Sequence, residues 1–303
     1  MAKSRDNSPI SPDVLDWFRN VFAAANAKVS NKIARVPNAP EESLDMTLIE
    51  HLSGYGVPHL LQSGWTVRID THFLGGLRHF HGKWEIADIG LLVHYRRNGK
   101  LVRSKAAVLQ SKRLYPRGVT VKEDMSVDYE VGFARLADPE DIRVPLHIET
   151  SYDFDFDCRY AALQAHDEQY DAIKKFLPTN KVPVFYQFYN PPLLPFTQTV
   201  PVKPNYTDAE AVAFGTRIVA AKDIIVALAK RAQRYSPTVA DLSNKKNEFD
   251  FGFRLETFVA DLLIACKEGY AFNDLHDENI FALFNRRSGA IAAAVAFSIE
   301  APE

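Results

Sequence analysis

The sequence predicts an α/β fold. Its core has the order helix, three strands, helix, strand (αβββαβ), with a mixed central sheet flanked by helices and a mainly helical C-terminal extension. Three observations carry this. Apolar residues recur at helical spacing in some segments, and alternate or run unbroken over strand lengths in others. Two strand-like runs are joined only by a few residues around Asn98-Gly99, a hairpin signal. The 303 residues are 47% hydrophobic and 24% charged, enough apolar material for a full buried core.

The elements follow in order. Pro12 to about Ala27 reads as an amphipathic helix after Ser11 as N-cap. A second helix starts at Pro40 and runs through Glu41, Leu44, Asp45 and Leu48 to about Leu52, before Gly54 and Gly56. Trp65–Phe73 is strand-like, as are Trp84–Val93 and Ala106–Lys112. Residues 114–150, acidic and broken by prolines, suggest a long loop or insertion with short strands. Tyr160, Leu163, Tyr170, Ile173 and Leu177 predict a helix from about Cys158 to Leu177. The run Val182–Tyr189 is a buried strand, ended by Asn190-Pro191-Pro192.

From residue 200 the character changes. Thr207 with Glu210 forms a capping box that opens a helix to about Ala232. Phe253 to Lys267 is helical, with Gly269 as stop. Asn244–Asn247 reads as a connector and Gly289–Ser298 as a strand. Three regions are therefore expected: 1–39 as helix and linker, 40–199 as the α/β core, and 200–303 as a mainly helical domain or extension.

Composition removes several function classes. No apolar run approaches the ~20 residues that span a bilayer. Met1–Pro9 lacks the apolar centre of a secretory signal, so a cytoplasmic location is expected. Cys158 and Cys266 are too few for a disulfide framework or a cysteine-rich zinc site. The net charge of −2 excludes a wholly basic surface. Positive charge is local instead: no acid falls between Ile89 and Lys122, where Arg96, Arg97, Lys100, Arg103, Lys105, Arg113 and Arg117 form a strip suited to phosphate contact. A solvated hairpin rim, balanced by the acids from Glu123 to Asp141, explains the same pattern.

Chemistry concentrates in the two central strands. Asp88 lies in Trp84-Glu85-Ile86-Ala87-Asp88-Ile89-Gly90-Leu91-Leu92-Val93, and Gln110 and Lys112 lie in Ala106-Ala107-Val108-Leu109-Gln110-Ser111-Lys112. An Asp on one strand and Gln-x-Lys on the next resembles the signature of PD-(D/E)XK nucleases, in the variant where Gln replaces the second acid. The resemblance covers about residues 40–190. It implies a restriction-endonuclease-like core and a metal-dependent endonuclease acting on DNA, double-stranded above all, with RNA the other substrate. The Gln form and the string Gln-Ser-Lys-Arg look like restriction-type and anti-phage effector nucleases. An inactive member that binds nucleic acid or assembles with a partner is the alternative.

Mg²⁺, or Mn²⁺ in its place, is the implied cofactor, since Mg²⁺ takes carboxylates, carbonyls and waters. Asp88 would be the central ligand. Gln110 would offer its amide oxygen, residue 111 its main-chain oxygen, and Lys112 a positive charge beside the phosphate. The resemblance also implies an acid from the preceding helix. With Leu44, Leu48, Ile49 and Leu52 inward, Glu41 is favoured, and Asp45 and Glu42 are alternatives. Acids in a first helical turn also complement its dipole.

The parity of the hairpin decides whether these groups can meet. A two-residue turn at Asn98-Gly99 pairs 97 with 100 and sends Gln110 and Lys112 to the face opposite Asp88. A three-residue loop or a bulge restores one shared face, and one of the two is expected. Other motifs carry less. Asp274–Asn279 reads as a capped turn, and His72, His79 and His81 lack a fourth metal ligand. Asp153, Asp155 and Asp157 precede an expected helix, whose dipole they would complement. Palindromic cutting would need a homodimer, and residues 200–303 could bind a partner protein.

Overall fold

The structure, a computed structural model, describes residues 10–37, 39–73, 86–117, 150–200, 211–243, 251–274, 276–284 and 291–302. Helix α1 (Pro12–Arg35) runs into α2 (Glu41–Ser53), and then come β1 (His59–Leu60), β2 (Thr66–Phe73), β3 (Ala87–Arg97) and β4 (Lys100–Arg113). After β5 (Thr150–Phe154) follow α3 (Glu168–Phe176), β6 (Val184–Tyr189), β7 (Leu193–Leu194) and β8 (Phe196–Val200). The remainder comprises β9 (Val212–Ala213), β10 (Arg217–Ala220), α4 (Ala221–Leu228), α5 (Val239–Leu242), β11 (Phe253–Arg254), α6 (Leu255–Thr257) with a π-helical continuation (Phe258–Ile264), β12 (Tyr270–Phe272), α7 (Glu278–Phe284) and β13 (Ile291–Ala301).

A mixed nine-stranded sheet organises these elements in the order β1-β2-β13-β3-β4-β6-β10-β11, with β12 on the first half of β4. Strand β13 is parallel to β3, and β4 is parallel to β6; the other pairs are antiparallel. On one face, Phe297 of β13 meets Phe18 and Phe22 of α1 edge-on, with ring centroids 5.4 and 5.6 Å apart. Phe185 of β6 meets Phe258 at 4.6 Å on the same side. On the other face, Phe188 packs on Tyr160 and Phe251. Strands β4 (from Ser104) and β6 are buried on both faces, which is why Ala106–Leu109 and Val184–Tyr186 read as continuous apolar stretches without alternation. No helix among the described residues is long and apolar enough to cross a membrane.

Several expectations are corrected here. The described residues of 200–303 are not mainly helical: β10, β11, β12 and β13 all join the sheet, and β13 lies between β2 and β3. The boundary expected at residue 199 has no counterpart in the sheet. The helix predicted from Cys158 starts only at Glu168. Upstream, Asp155 accepts from the amides of Asp157 and Cys158 in a tight turn, and Tyr160 spends its hydroxyl on Asn190. Asp167 supplies the actual N-cap, accepting from Tyr170 N at 2.7 Å. Asp153, Asp155 and Asp157 therefore serve a turn and a strand end, not a helix dipole; Asp153 accepts from Thr197.

The first helix extends well past Ala27, to Arg35. The long helix from Thr207 is replaced by β9, β10 and the short α4, and its capping box lies outside the described residues, as do 118–149, Asn244–Asn247, His79 and His81. Asp274–Asn279 is a capped turn: Asp274 accepts from His276 N, and Asp277 from Asn279 N and the Tyr270 hydroxyl.

The β3–β4 hairpin resolves the parity. Asn98 (φ 51°) and Gly99 (φ 71°) make a two-residue left-handed turn with Arg97 opposite Lys100. The register then shifts by one, because Arg96 faces Leu101 while Tyr95 faces Arg103. This β-bulge leaves Val102 unpaired and carries the register down to Ile89 opposite Leu109. Asp88 and Gln110, the next residues, therefore share a face.

Candidate active site

Ladder pairing between β3 and β4 stops at Ile89, whereas β4 continues alongside β6 to Arg113. The last four residues of β4 thus have an open edge on the β3 side. Backbone N–H groups on a buried edge must find acceptors, since leaving one unpaired costs about 1–3 kcal/mol. Here the acceptors are carboxylates. Ser111 N donates to Asp88 Oδ2 at 2.7 Å, and Arg113 N donates to Glu41 Oε1 at 3.0 Å. The gap in the sheet therefore draws acids from β3 and from α2 to one place.

The Gln110 side chain completes the Asp88 corner. Its Nε2 donates to Asp88 Oδ2 at 2.5 Å and lies 3.5 Å from the Ser111 carbonyl oxygen, while its Oε1 is buried with no hydrogen-bond partner among the described residues. The amide nitrogen thus faces two acceptors, the environment a cation would also seek. A half-turn of the amide would present Oε1 there instead. Lys112, 3% exposed, donates to Glu41 Oε2 at 3.3 Å. Such a pair needs its geometry kept, because breaking a buried ion pair leaves an uncompensated charge.

Asp45 is one turn further along α2. Its Oδ1 accepts from the Ser111 hydroxyl and from the Tyr189 hydroxyl, each at 2.6 Å. Burial first, and then the nearby charge of Asp88, push its carboxyl well above the ordinary carboxylate range; Glu41 adds to this and the two hydroxyls oppose it. Part of the residue remains accessible, so the carboxylate is crowded without being sealed off. Neither hydroxyl brings the charge that three clustered acids require.

Arg113 sets the entry into α2. Its guanidinium donates to the carbonyls of Pro37 and Ala39, at 2.8 and 2.9 Å, and lies 3.9 Å over the Tyr115 ring. At the other end of the connection, Lys32 of α1 donates to Ser43 O and Thr47 Oγ1. These clamps hold Glu41 and Asp45 against the sheet edge.

The expected residues thus divide. Asp88, Gln110, Lys112, Glu41 and Asp45 come together, and Glu42 is on the exposed side of α2. The basic strip does not hold as one surface. Lys105 is buried and donates to the carbonyls of Leu263 and Glu268, closing the π-helical turn, and Arg113 is buried as described. Arg96, Arg97 and Lys100 are exposed at the hairpin tip, Arg103 is half-buried beside them, and Arg117 pairs with Asp155. Eight residues of strand separate Asp88 from Arg96, about 27 Å. The Ser111 hydroxyl, Gln187 and Tyr189 were missed by motif reading. A glutamine inside a fully buried strand was the available signal, because buried amides need partners.

No family model, no curated protein and no solved structure matches this chain. The fit of a metal therefore rests on the donors themselves. Among the described residues no three His, Cys, Asp or Glu side chains stand close enough to close a coordination sphere alone. Mg²⁺ does not require that, since it is commonly held by one or two carboxylates with waters and substrate oxygens. Asp88, Asp45, Gln110 Oε1 and the Ser111 carbonyl are hard oxygen donors of the right kind.

Charge crowding has a consequence for stability. A carboxyl whose folded pKa lies above its unfolded value favours folding fully only below the unfolded value, and loses that contribution as pH rises through the folded one. In chelator, Asp45→Asn is therefore expected to raise Tm by about 2 °C or more at pH 8, and to bring a much smaller gain near pH 4. Melting curves at the two pH values check this; an equal gain at both would remove the charge explanation.

Proposed function

We propose that this protein is a divalent-metal-dependent endonuclease that hydrolyses phosphodiester bonds in DNA, built on a restriction-endonuclease-like core. The chain order α2–β2–β3–β4–α3–β6 supports the core, with β13 as an added strand between β2 and β3. The observation that carries the function is the gathering of Glu41, Asp45 and Asp88 around Gln110 and Lys112 at the open edge of β4.

Asp88 and Asp45 would hold Mg²⁺ (or Mn²⁺), with Gln110 Oε1 and the Ser111 carbonyl as neutral donors. When bound, the ion supplies an acidified water and neutralises charge on the phosphoryl oxygens. Glu41 keeps the Lys112 ammonium at the site, where it stabilises negative charge developing on the scissile phosphate. Gln110 brings no charge, so the site binds metal more weakly than one with a third acid there. The exposed Arg96, Arg97 and Lys100 suit contact with the nucleic-acid backbone about eight nucleotides from the cut, at about 3.4 Å per step.

Lys112→Ala is expected to lower plasmid cleavage in Mg²⁺ by about a hundredfold, in keeping with loss of one stabilising group from a preorganised site. The assay uses supercoiled plasmid, linear duplex and RNA, with EDTA as control. A second reading is favoured by the lack of a self-sufficient acid cluster among the described residues: a nuclease fold that binds nucleic acid or assembles with a partner without cutting. If wild-type protein cuts neither DNA nor RNA in Mg²⁺ or Mn²⁺, that second reading replaces the first.

A further inference from the structure

We infer that Tyr189 and Ser111 form a two-hydroxyl clamp that orients Asp45 for a divalent cation, with Gln187 holding Tyr189 in turn; this rests on the metal-dependent reading above. Ser111, Gln187 and Tyr189 are each 0% exposed, so water does not compete for their bonds. Both hydroxyls donate to the same oxygen, Asp45 Oδ1, at 2.6 Å. That occupies Oδ1 and leaves Oδ2 for another partner.

The direction of the chain is determined by proton supply. A phenol has one proton, and the Tyr189 oxygen already accepts from Gln187 Nε2. Its proton therefore goes to Asp45, so the sequence runs from amide to phenol to carboxylate. Strand register explains why these groups meet. Ser111 lies opposite Gln187 in the parallel β4–β6 pair, and Tyr189 lies opposite Arg113. Alternate positions on β4 and β6 thus place Ser111, Gln187 and Tyr189 on the face that α2 covers. Tyr189 is a positioning residue: it touches neither substrate nor metal, and acts through Asp45.

The same strand supplies a control. Tyr186 is also 0% exposed, and its hydroxyl has no hydrogen-bond partner among the described residues. Tyr186→Phe and Tyr189→Phe remove the same atom from the same strand, but only the second breaks the clamp. The probe is Mn²⁺ alone, titrated into the full chain and followed by the spin-resonance signal of the free ion, with melting curves for every variant.

Tyr189→Phe is expected to weaken Mn²⁺ binding about tenfold, the usual loss when a group that orients a metal ligand is removed. Tyr186→Phe should leave it unchanged, and adding Tyr189→Phe to Asp45→Asn should cause no further loss. If Tyr189→Phe fails to fold, Ser111→Ala tests the other arm with the same expectation. Wild-type affinity in both Tyr189→Phe and Ser111→Ala, or an equal loss in Tyr186→Phe, overturns the clamp while the metal site stands. Absence of Mn²⁺ binding by the wild type overturns the metal site, and the clamp with it.

Discussion

A chain lacking residues 291–303 is expected to lose its cooperative unfolding transition. Strand β13 pairs with β2 over Ala293–Glu300 and with β3 over Ile291–Ala301. Removing it takes Ile291, Val295, Phe297 and Ile299, all buried, out of the core. At about 2 kcal/mol each, these four side chains alone are worth about 8 kcal/mol. That is comparable to the whole net stability of a typical domain, about 5–15 kcal/mol. Strands β2 and β3 would also lose the ladder partner between them. Circular dichroism and hydrogen exchange on the shortened chain measure the outcome. Native-like protection in β2 and β3 would show that the sheet does not depend on its last strand.

The second large effect is expected at Asp88. Asp88→Asn keeps an oxygen that can accept from Ser111 N, so the open edge of β4 remains satisfied. It removes the charge that a metal needs and that the Gln110 amide now faces. Cleavage in saturating Mg²⁺ is expected to fall about a hundredfold to a thousandfold, with Tm unchanged or raised because one of three crowded acids has been neutralised. Steady-state rates and melting curves on the same preparations separate these two effects. Cleavage by Asp88→Asn at the wild-type rate would remove Asp88 from the reaction.

Much of the fold and part of the candidate site were legible in the amino acids, and the boundary between legible and hidden is physical. Burial has a local signature, so helix α2, strands β2, β3 and β6, and the second half of β4 follow from apolar spacing. The Asp88 and Gln-x-Lys positions could be recognised, and their parity posed a question with only two structural answers. The bulge opposite Tyr95 is one of them. Neighbourhood has no such signature. Nothing near residues 291–301 indicates that this strand slots between β2 and β3, because that choice depends on contacts some two hundred residues away in the chain.

The same limit applies to Lys105 and Arg113. Both read as surface cations because neither the π-helical turn nor the Pro37–Ala39 carbonyls can be seen from β4 alone. Asp45 was one of three candidate acids on the right helix. Its distinction from Glu41 depends on Ser111 and Tyr189, whose hydroxyls join it only once β4 and β6 are paired. The helix predicted from Cys158 failed for a different reason: Asp155 offers the chain local bonds that compete with helical ones, and Tyr160 is held by Asn190 at the end of β6.

The late position of β13 in the chain has a consequence for biosynthesis. Between Arg113 and Ile291 the ribosome must add 178 residues, which takes roughly 10–40 s at typical elongation rates. During that interval the nascent β3 edge has no permanent neighbour, and it carries Ile89, Leu91 and Val93. Such an edge is a template for association with other chains. Until β13 is made, that edge stays open to such pairing.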